Sequence, residues 1–494
     1  MTKRSKISID SYLKNNFKIA YKGNLELTVM SQERRYNSIL WPIYFLNGFQ
    51  SIAWGGIIFL IVPISRIIWP ADPDHALEMG IMITTLSWSA SISGLLLGFY
   101  IDRYSRKNVL FIISIFRGIA IILLGFGIEG GEQFTYLYFL VFVSIFGIFA
   151  GLSWPTVISL SNDIVPKEER SRFFGSYEIV RSLTMTLGFV LGALLMQTGY
   201  WRAFFWIAGS GIVIFGIIYN IQSEEPKRGA QEEELMHILR ENDFEYNYKI
   251  NRKMMKETML SKTNLVALIE GIFTWILMGS INFLILNLIQ HEPHNISEFS
   301  TSIFMVLFGL TGGITGQLIL ARLSDKLAQK YVNARVFMII FALIGGIITF
   351  ALFFFIPWPH LTKAQGKDVL YLMSFPAIWL MGALFFFSRS IFSLYIVNQS
   401  PVLQHINLPE SQAQIVSWNQ FLENLGRGIG PAISGLLLVI TQYNYQQTIL
   451  YVILCILPGV VLWTFAIKWY PENVIQIKKI LKERAQIIES NSDP

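Results

Sequence analysis

About twelve stretches of the chain are apolar for roughly 20 residues or more, the length a helix needs to cross the hydrocarbon core of a bilayer. They fall at 37–63, 77–101, 107–128, 134–160, 174–198 and 201–222, and again at 263–290, 298–323, 333–357, 369–398, 411–440 and 446–469. Between the sixth and the seventh lies SEEPKRGAQEEELMHILRENDFEYNYKINRKMMKETMLSK, the long polar segment of the interior. The pattern predicts an all-α polytopic membrane protein with 12 transmembrane helices in two six-helix bundles. The expected divisions are a basic tail at 1–36, a first bundle at 37–222, a linker at 223–262, a second bundle at 263–470 and an amphipathic tail at 471–494.

Composition supports the same solvent. Hydrophobic residues make up 53% of the chain and charged residues 15%, whereas a soluble domain carries about 25% charged residues. The single cysteine, Cys455, excludes an intramolecular disulfide and a cysteine metal cluster. The N-terminal stretch has no apolar core before a small-residue cleavage site, so a signal peptide is not expected. Placing the N-terminus in the cytoplasm puts roughly 31 bases inside and about 4 outside, namely Arg66, Arg202, Lys363 and Lys367. Both termini are therefore expected on the cytoplasmic face of the cell membrane. The net charge of +6 suits that rule and not a nucleic-acid partner. In the tail, Ile475, Ile480, Leu481, Ile487 and Ile488 can share one side of a helix lying on the inner membrane surface.

One short connection holds more charge than a turn needs. Residues 98–110 read GFYIDRYSRKNVL. Bases at a cytoplasmic turn are ordinary, but Asp102, where the second helix leaves the membrane, wants a partner. The pattern G-x-x-x-D-R-x-x-R-K resembles the signature loop of the major facilitator superfamily, with Ser105 where that family usually has glycine. The resemblance implies two pseudo-symmetric bundles, close helix approach at Gly98, and a cytoplasmic latch of Asp102, Arg103, Arg106 and Lys107. A degenerate copy stands between helices eight and nine in ARLSDKLAQK, with Asp325 and Lys326 matching the acid and first base. The segments entering helices five and eleven also match, with Pro166 and Pro409 at the same turn. In helix eleven, Gly426, Gly430 and Gly435 predict close packing and Pro431 a bend.

Ionisable groups inside a span are costly and mark pairs or functional sites. Glu178 and Arg181 are three apart on helix five, and Glu423 and Arg427 four apart on helix eleven, so each pair can meet on one helix face. Glu270 on helix seven and Arg389 on helix ten lie at similar depth, which suggests an ion pair facing the substrate path. Arg117 on helix three is expected to serve packing. Polar and aromatic edges on inward helices, Asn47, Gln50 and Trp275 among them, are further candidates for substrate contact. A desolvated glutamate can carry a proton, and an arginine can hold a carboxylate or phosphate bidentately.

These features point to a secondary transporter of a small organic solute, anionic or amphiphilic, embedded in the lipid bilayer, with protons as an optional partner and no cofactor. Uncoupled facilitation and carriage of a lipid or lysolipid are the alternatives within the class, and a membrane sensor lies outside it. An enzyme is not expected. His291 and His294 in HEPHN lack the spacing and the helix of a zinc motif, and no metal site is expected.

Overall fold

A computed structural model describes residues 40–72, 74–101, 104–165, 170–223, 225 and 259–492. Asp102, Arg103, Pro166, the tail at 1–36 and most of the 223–262 linker lie outside the described residues. The helices are α1 (Leu40–Phe59, continuing after a 66° bend as Ile61–Ile68), α2 (Ala76–Ile101), α3 (Arg106–Leu124), α4 (Glu132–Ile164), α5 (Arg170–Gln197) and α6 (Trp201–Gln222). The second half gives α7 (Lys262–Gln290), α8 (Glu298–Lys330), α9 (Ala334–Phe355), α10 (Pro376–His405), α11 (Pro409–Ile440) and α12 (Tyr445–Ser492). Among the described residues, 10 helices are long and apolar enough to span a membrane, or 11 if the bent α1 is one span. The helix outside that count is α11. At 32 residues it is about 48 Å long, but Glu423, Arg427 and their amide neighbours lower its hydropathy.

Local chemistry sets the helix starts. Ser105, Ser261 and Ser297 are N-caps whose side chains accept from the backbone amides of Asn108, Asn264 and Ser300. The tenth span does not begin at 369 as its apolarity suggests. Asp368 caps a short helix, Val369–Met373. The chain then turns at Phe375, and Pro376 opens α10 at its first turn. The same helix runs on past Pro401 to His405. Two π-helical turns, Met305–Leu310 and Gly316–Leu320, interrupt α8. The C-terminal residues expected as a separate surface helix instead continue α12 as one helix of 48 residues.

Each half packs as a bundle. In the first, α2 lies on α4, α3 lies on α4 and α6, and Gly48 and Gly55 of α1 face α5. In the second, α7 lies between α11 and α12, and α10 lies on α9 and α8. The halves meet mainly through α2 against α11 and α5 against the start of α8. Exchanging each helix for its counterpart six places on turns one contact into the other, as the repeat suggested by the two loop sequences requires. Gly426 and Gly430 do permit close approach. A Cβ at either would collide with the carbonyls of Ile272 and Ile276 on α7, and one at Gly435 with the carbonyl of Ala76 on α2.

Candidate functional site

The two bundles are sealed to each other at one end. At the rim, Arg66 pairs with Glu298 at 2.7 Å and donates to the Gln290 carbonyl. Ser297 donates to Gln197 at 3.1 Å, Tyr443 donates to the Asp74 carbonyl, and the His291 ring lies 3.6 Å from the Asp74 carboxylate. Deeper in, Thr84 of α2 donates to the Gly428 carbonyl at 2.7 Å, and the Trp88 indole donates to the Leu425 carbonyl at 2.9 Å. The seal thus runs from the rim to Trp88. Beyond it, toward the end where α1 begins and α12 finishes, Leu95, Leu96 and Leu97 of α2 and Trp418 of α11 are exposed.

Two of the charged groups predicted inside the spans, Arg427 and Glu423, sit just beneath this seal. The Arg427 guanidinium stacks on the Trp275 ring, 3.8 Å from its centroid. Its side chain remains accessible although it stands one residue from the Gly428 contact. Glu423, one turn earlier, accepts from Asn419 at 2.7 Å, and Asn419 in turn accepts from Gln399 at 3.3 Å. The expected Glu423–Arg427 ion pair is not formed, because Trp275 draws the guanidinium away and the amides occupy the carboxylate. On the facing bundle, Glu178 and Arg181 do pair, at 2.6 Å, with half of each side chain exposed. Arg181 of α5 and Arg427 of α11, one from each bundle, thus lie within electrostatic reach of each other, Arg181 paired with Glu178 and Arg427 one turn from Glu423.

The expected Glu270–Arg389 pair is also not formed. Glu270 is fully buried and accepts from Thr274, from the Tyr395 hydroxyl at 3.1 Å and from the Trp463 indole of α12. Thr274 lies on α7 itself, and the other two donors tie α7 to α10 and α12. Arg389 donates to Asn282 of α7 and stacks on Phe385 at 5.0 Å. Equal depth did not put the two charges on facing sides of their helices.

In the first bundle, the Asn47 amide donates to the Tyr177 carbonyl at 2.9 Å, fastening α1 to α5. Gln50 accepts from Ser153 at 3.3 Å, while its buried amide nitrogen finds no acceptor. In the signature region, Gly98 lies in the last turn of α2. Arg106 is 3% exposed and pairs with Glu225 at 3.2 Å. The Glu225 carboxylate also accepts from Ser105 and from the backbone amides of Arg106 and Lys107. Burial pushes its pKa up, but these donors outweigh that and hold it below the ordinary carboxylate value. This helix-capping acid was missed by sequence reasoning; its only signal is an acid just past the end of α6. At the degenerate copy, Asp325 pairs with Arg335 at 2.9 Å, and Lys326 has no ion-pair partner among the described residues.

Residues 40–365 match the family model described as Major Facilitator Superfamily. A "Probable sugar efflux transporter" of Helicobacter pylori (strain G27) is 25% identical over 262 residues, 51% of this chain and 58% of that relative. The chain thus matches little more than half the length of that relative. In fold the chain is similar to a bacterial homolog of the human lysosomal transporter Spinster, in an inward-facing and unoccupied conformation. That likeness has a TM-score of 0.66 and 12% identity, over 90% of this chain and 98% of that one. The nucleoside transporter NupG gives a TM-score of 0.59 at 14% identity, over 88% of this chain and 99% of that one. The family match across most of the chain, the helical repeat and the bundle contacts agree: this multi-pass membrane protein belongs to the major facilitator superfamily, a family of transporters and not of enzymes.

Proposed function

We propose that the protein moves a small polar organic solute by alternating access, with protons as the coupling ion. The observation that carries this reading is the position of Arg427 and Glu423 in the gap directly beneath a seal at one end, with Arg181, paired with Glu178, within electrostatic reach on the facing bundle. With the termini in the cytoplasm, as the lysine and arginine distribution supports, the sealed end faces outward and this is the inward-facing state. Two bundles that rock about a mid-membrane site would then break the α2–α11 and α5–α8 contacts and close the opposite end. Solute hydroxyls or acidic groups meet guanidiniums and carboxylates from both bundles at once, so binding draws the bundles together. The related sugar efflux transporter and the similar nucleoside transporter favour a hydroxylated solute of about that size.

Glu423 is the proposed proton carrier. It accepts from the Asn419 amide, forms no ion pair among the described residues, and lies one turn from Arg427, so it needs no large movement to exchange its proton with the gap. Glu270, behind it, acts as a tether in this reading. In proteoliposomes loaded with sugars, nucleosides and organic anions, an imposed pH gradient is expected to drive accumulation of at least one class. Glu423→Gln is expected to abolish that accumulation and spare counterflow at equal pH. Accumulation that persists in the variant rules Glu423 out as carrier, and absence of flux for every class rules out the transport reading.

A further inference from the structure

Arg117, expected to serve packing, is buried without a countercharge among the described residues. It lies near the middle of α3 with 4% of its surface exposed. Its guanidinium rests on Phe146 of α4, 4.7 Å from the ring centroid, and the Tyr177 phenol of α5 is within electrostatic reach. Among the described residues, no carboxylate pairs with it and its Nε has no acceptor. A ring face offsets part of the cost of burying the charge, yet a guanidinium has five N–H donors and keeps its proton in any protein. An arginine held this way lacks acceptors.

A second buried donor lacks one too. Gln50 of α1 is 5% exposed, its oxygen is taken by Ser153 of α4, and its Nε2 is unsatisfied. The contacts bring both groups to one region. Trp54, one turn from Gln50, packs on the Phe146 ring that carries Arg117. Trp154, next to Ser153, packs on Tyr177 at 5.6 Å. Two helices, α1 and α3, therefore bring an amide and a cation to an interior whose rings are Trp54, Phe146, Trp154 and Tyr177, and among the described residues the Nε of Arg117 and the Nε2 of Gln50 find no acceptor there.

We infer that the interior of the N-terminal bundle holds an oxyanion-binding pocket in which Arg117 and Gln50 donate to a carboxylate or phosphate group of the solute. This rests on the transport reading above and narrows its substrate to a solute bearing an acidic group. The aromatic walls exclude water, so charge-assisted hydrogen bonds there are stronger than in solution. The charge of Arg117 would be balanced only when such a solute is bound.

Three probes that differ in one group test this: glucose, gluconate and glucose 6-phosphate. Binding to the purified full chain in detergent is read by tryptophan fluorescence, since Trp54 and Trp154 line the pocket, and by the thermal midpoint. The wild type is expected to prefer one or both anions over glucose. Arg117→Met keeps the bulk, removes the buried charge and is expected to fold; Gln50→Met does the same for the amide. Each is expected to weaken the anion by about tenfold or more and leave glucose within about twofold. Arg117→Lys should restore part of the preference. The proposal is overturned if the anion preference survives in Arg117→Met, or if neither anion is preferred by the wild type. Whether gluconate or glucose 6-phosphate is favoured tells carboxylate from phosphate. Counterflow of the same probes separates the two readings: flux without an Arg117-dependent preference sinks the pocket alone, and Arg117-dependent binding without flux sinks the transport reading alone.

Discussion

Glu225 holds together three parts of the chain that are far apart in sequence. It neutralises the buried Arg106, caps α3 and fixes the exit of α6. Glu225→Ala is expected to destabilise the first bundle by about 1–3 kcal/mol, the cost of leaving buried donors unmade, at the lower end because a third of the carboxylate is exposed. Its pKa is depressed, so the native state binds fewer protons than the unfolded one. The stabilisation is present above the ordinary carboxylate value near 4.5 and is lost as pH falls through the lower native value. Thermal midpoints of wild type and variant should therefore stay apart from pH 7 down to about pH 4.5 and draw together as the pH is lowered further. Residues of this kind also mark the limit of what sequence tells. The Glu178–Arg181 pair was legible because three residues on a helix fix a geometry by themselves. Glu270 and Arg389 were not, since depth along two helices says nothing about the direction each side chain faces. Glu225 acts across 119 positions from Arg106, and no local pattern announces that.

At the scale of elements, hydropathy gave nearly every span, because the need to fill the hydrocarbon core is imposed residue by residue. Misread boundaries fall where a cap or a proline overrides apolarity, as at Asp368 and Pro376. The contact of α2 with α11 is closer than patterning could reveal. A Cβ at Gly80 would collide with the Pro431 backbone, and one at Gly428 with Trp88 and Ser87. Gly80→Val is therefore expected to part these helices and favour the state in which the seal is broken. Spin labels placed on the 66–75 and 441–444 connections should show a longer distance in the variant than in the wild type. An unchanged distance distribution would mean that α2 and α11 have slack to absorb the side chain.

The sealed end as a whole should respond to acid. Burial lowers the pKa of His291, which faces Asp74 and Arg66 across the bundles, and burial also lowers that of His294 beside His360. The folded, sealed molecule thus binds protons at these rings more weakly than an opened or unfolded one. Its stability is full above the ordinary histidine value of 6.5 and declines as pH falls through the lower values. Amide exchange at 291–297 is expected to quicken at pH 5 relative to pH 7.5, and His291→Phe to remove most of that difference. Equal protection at both pH values in the wild type would show that the rim tolerates the charge.

The uninterrupted run of α12 has a mechanical consequence. Its 48 residues, with Pro458 and Pro471 inside, span about 72 Å along the helix, more than twice the roughly 30 Å of hydrocarbon it has to cross. Rooted among α7 and α9, it works as a pointer on the second bundle. A turn of a tenth of a radian about its far end carries its tip about 7 Å. Motions too small to resolve at the binding groups would be magnified there, and a fluorophore on the last residues would report each stroke of the cycle without touching the solute path.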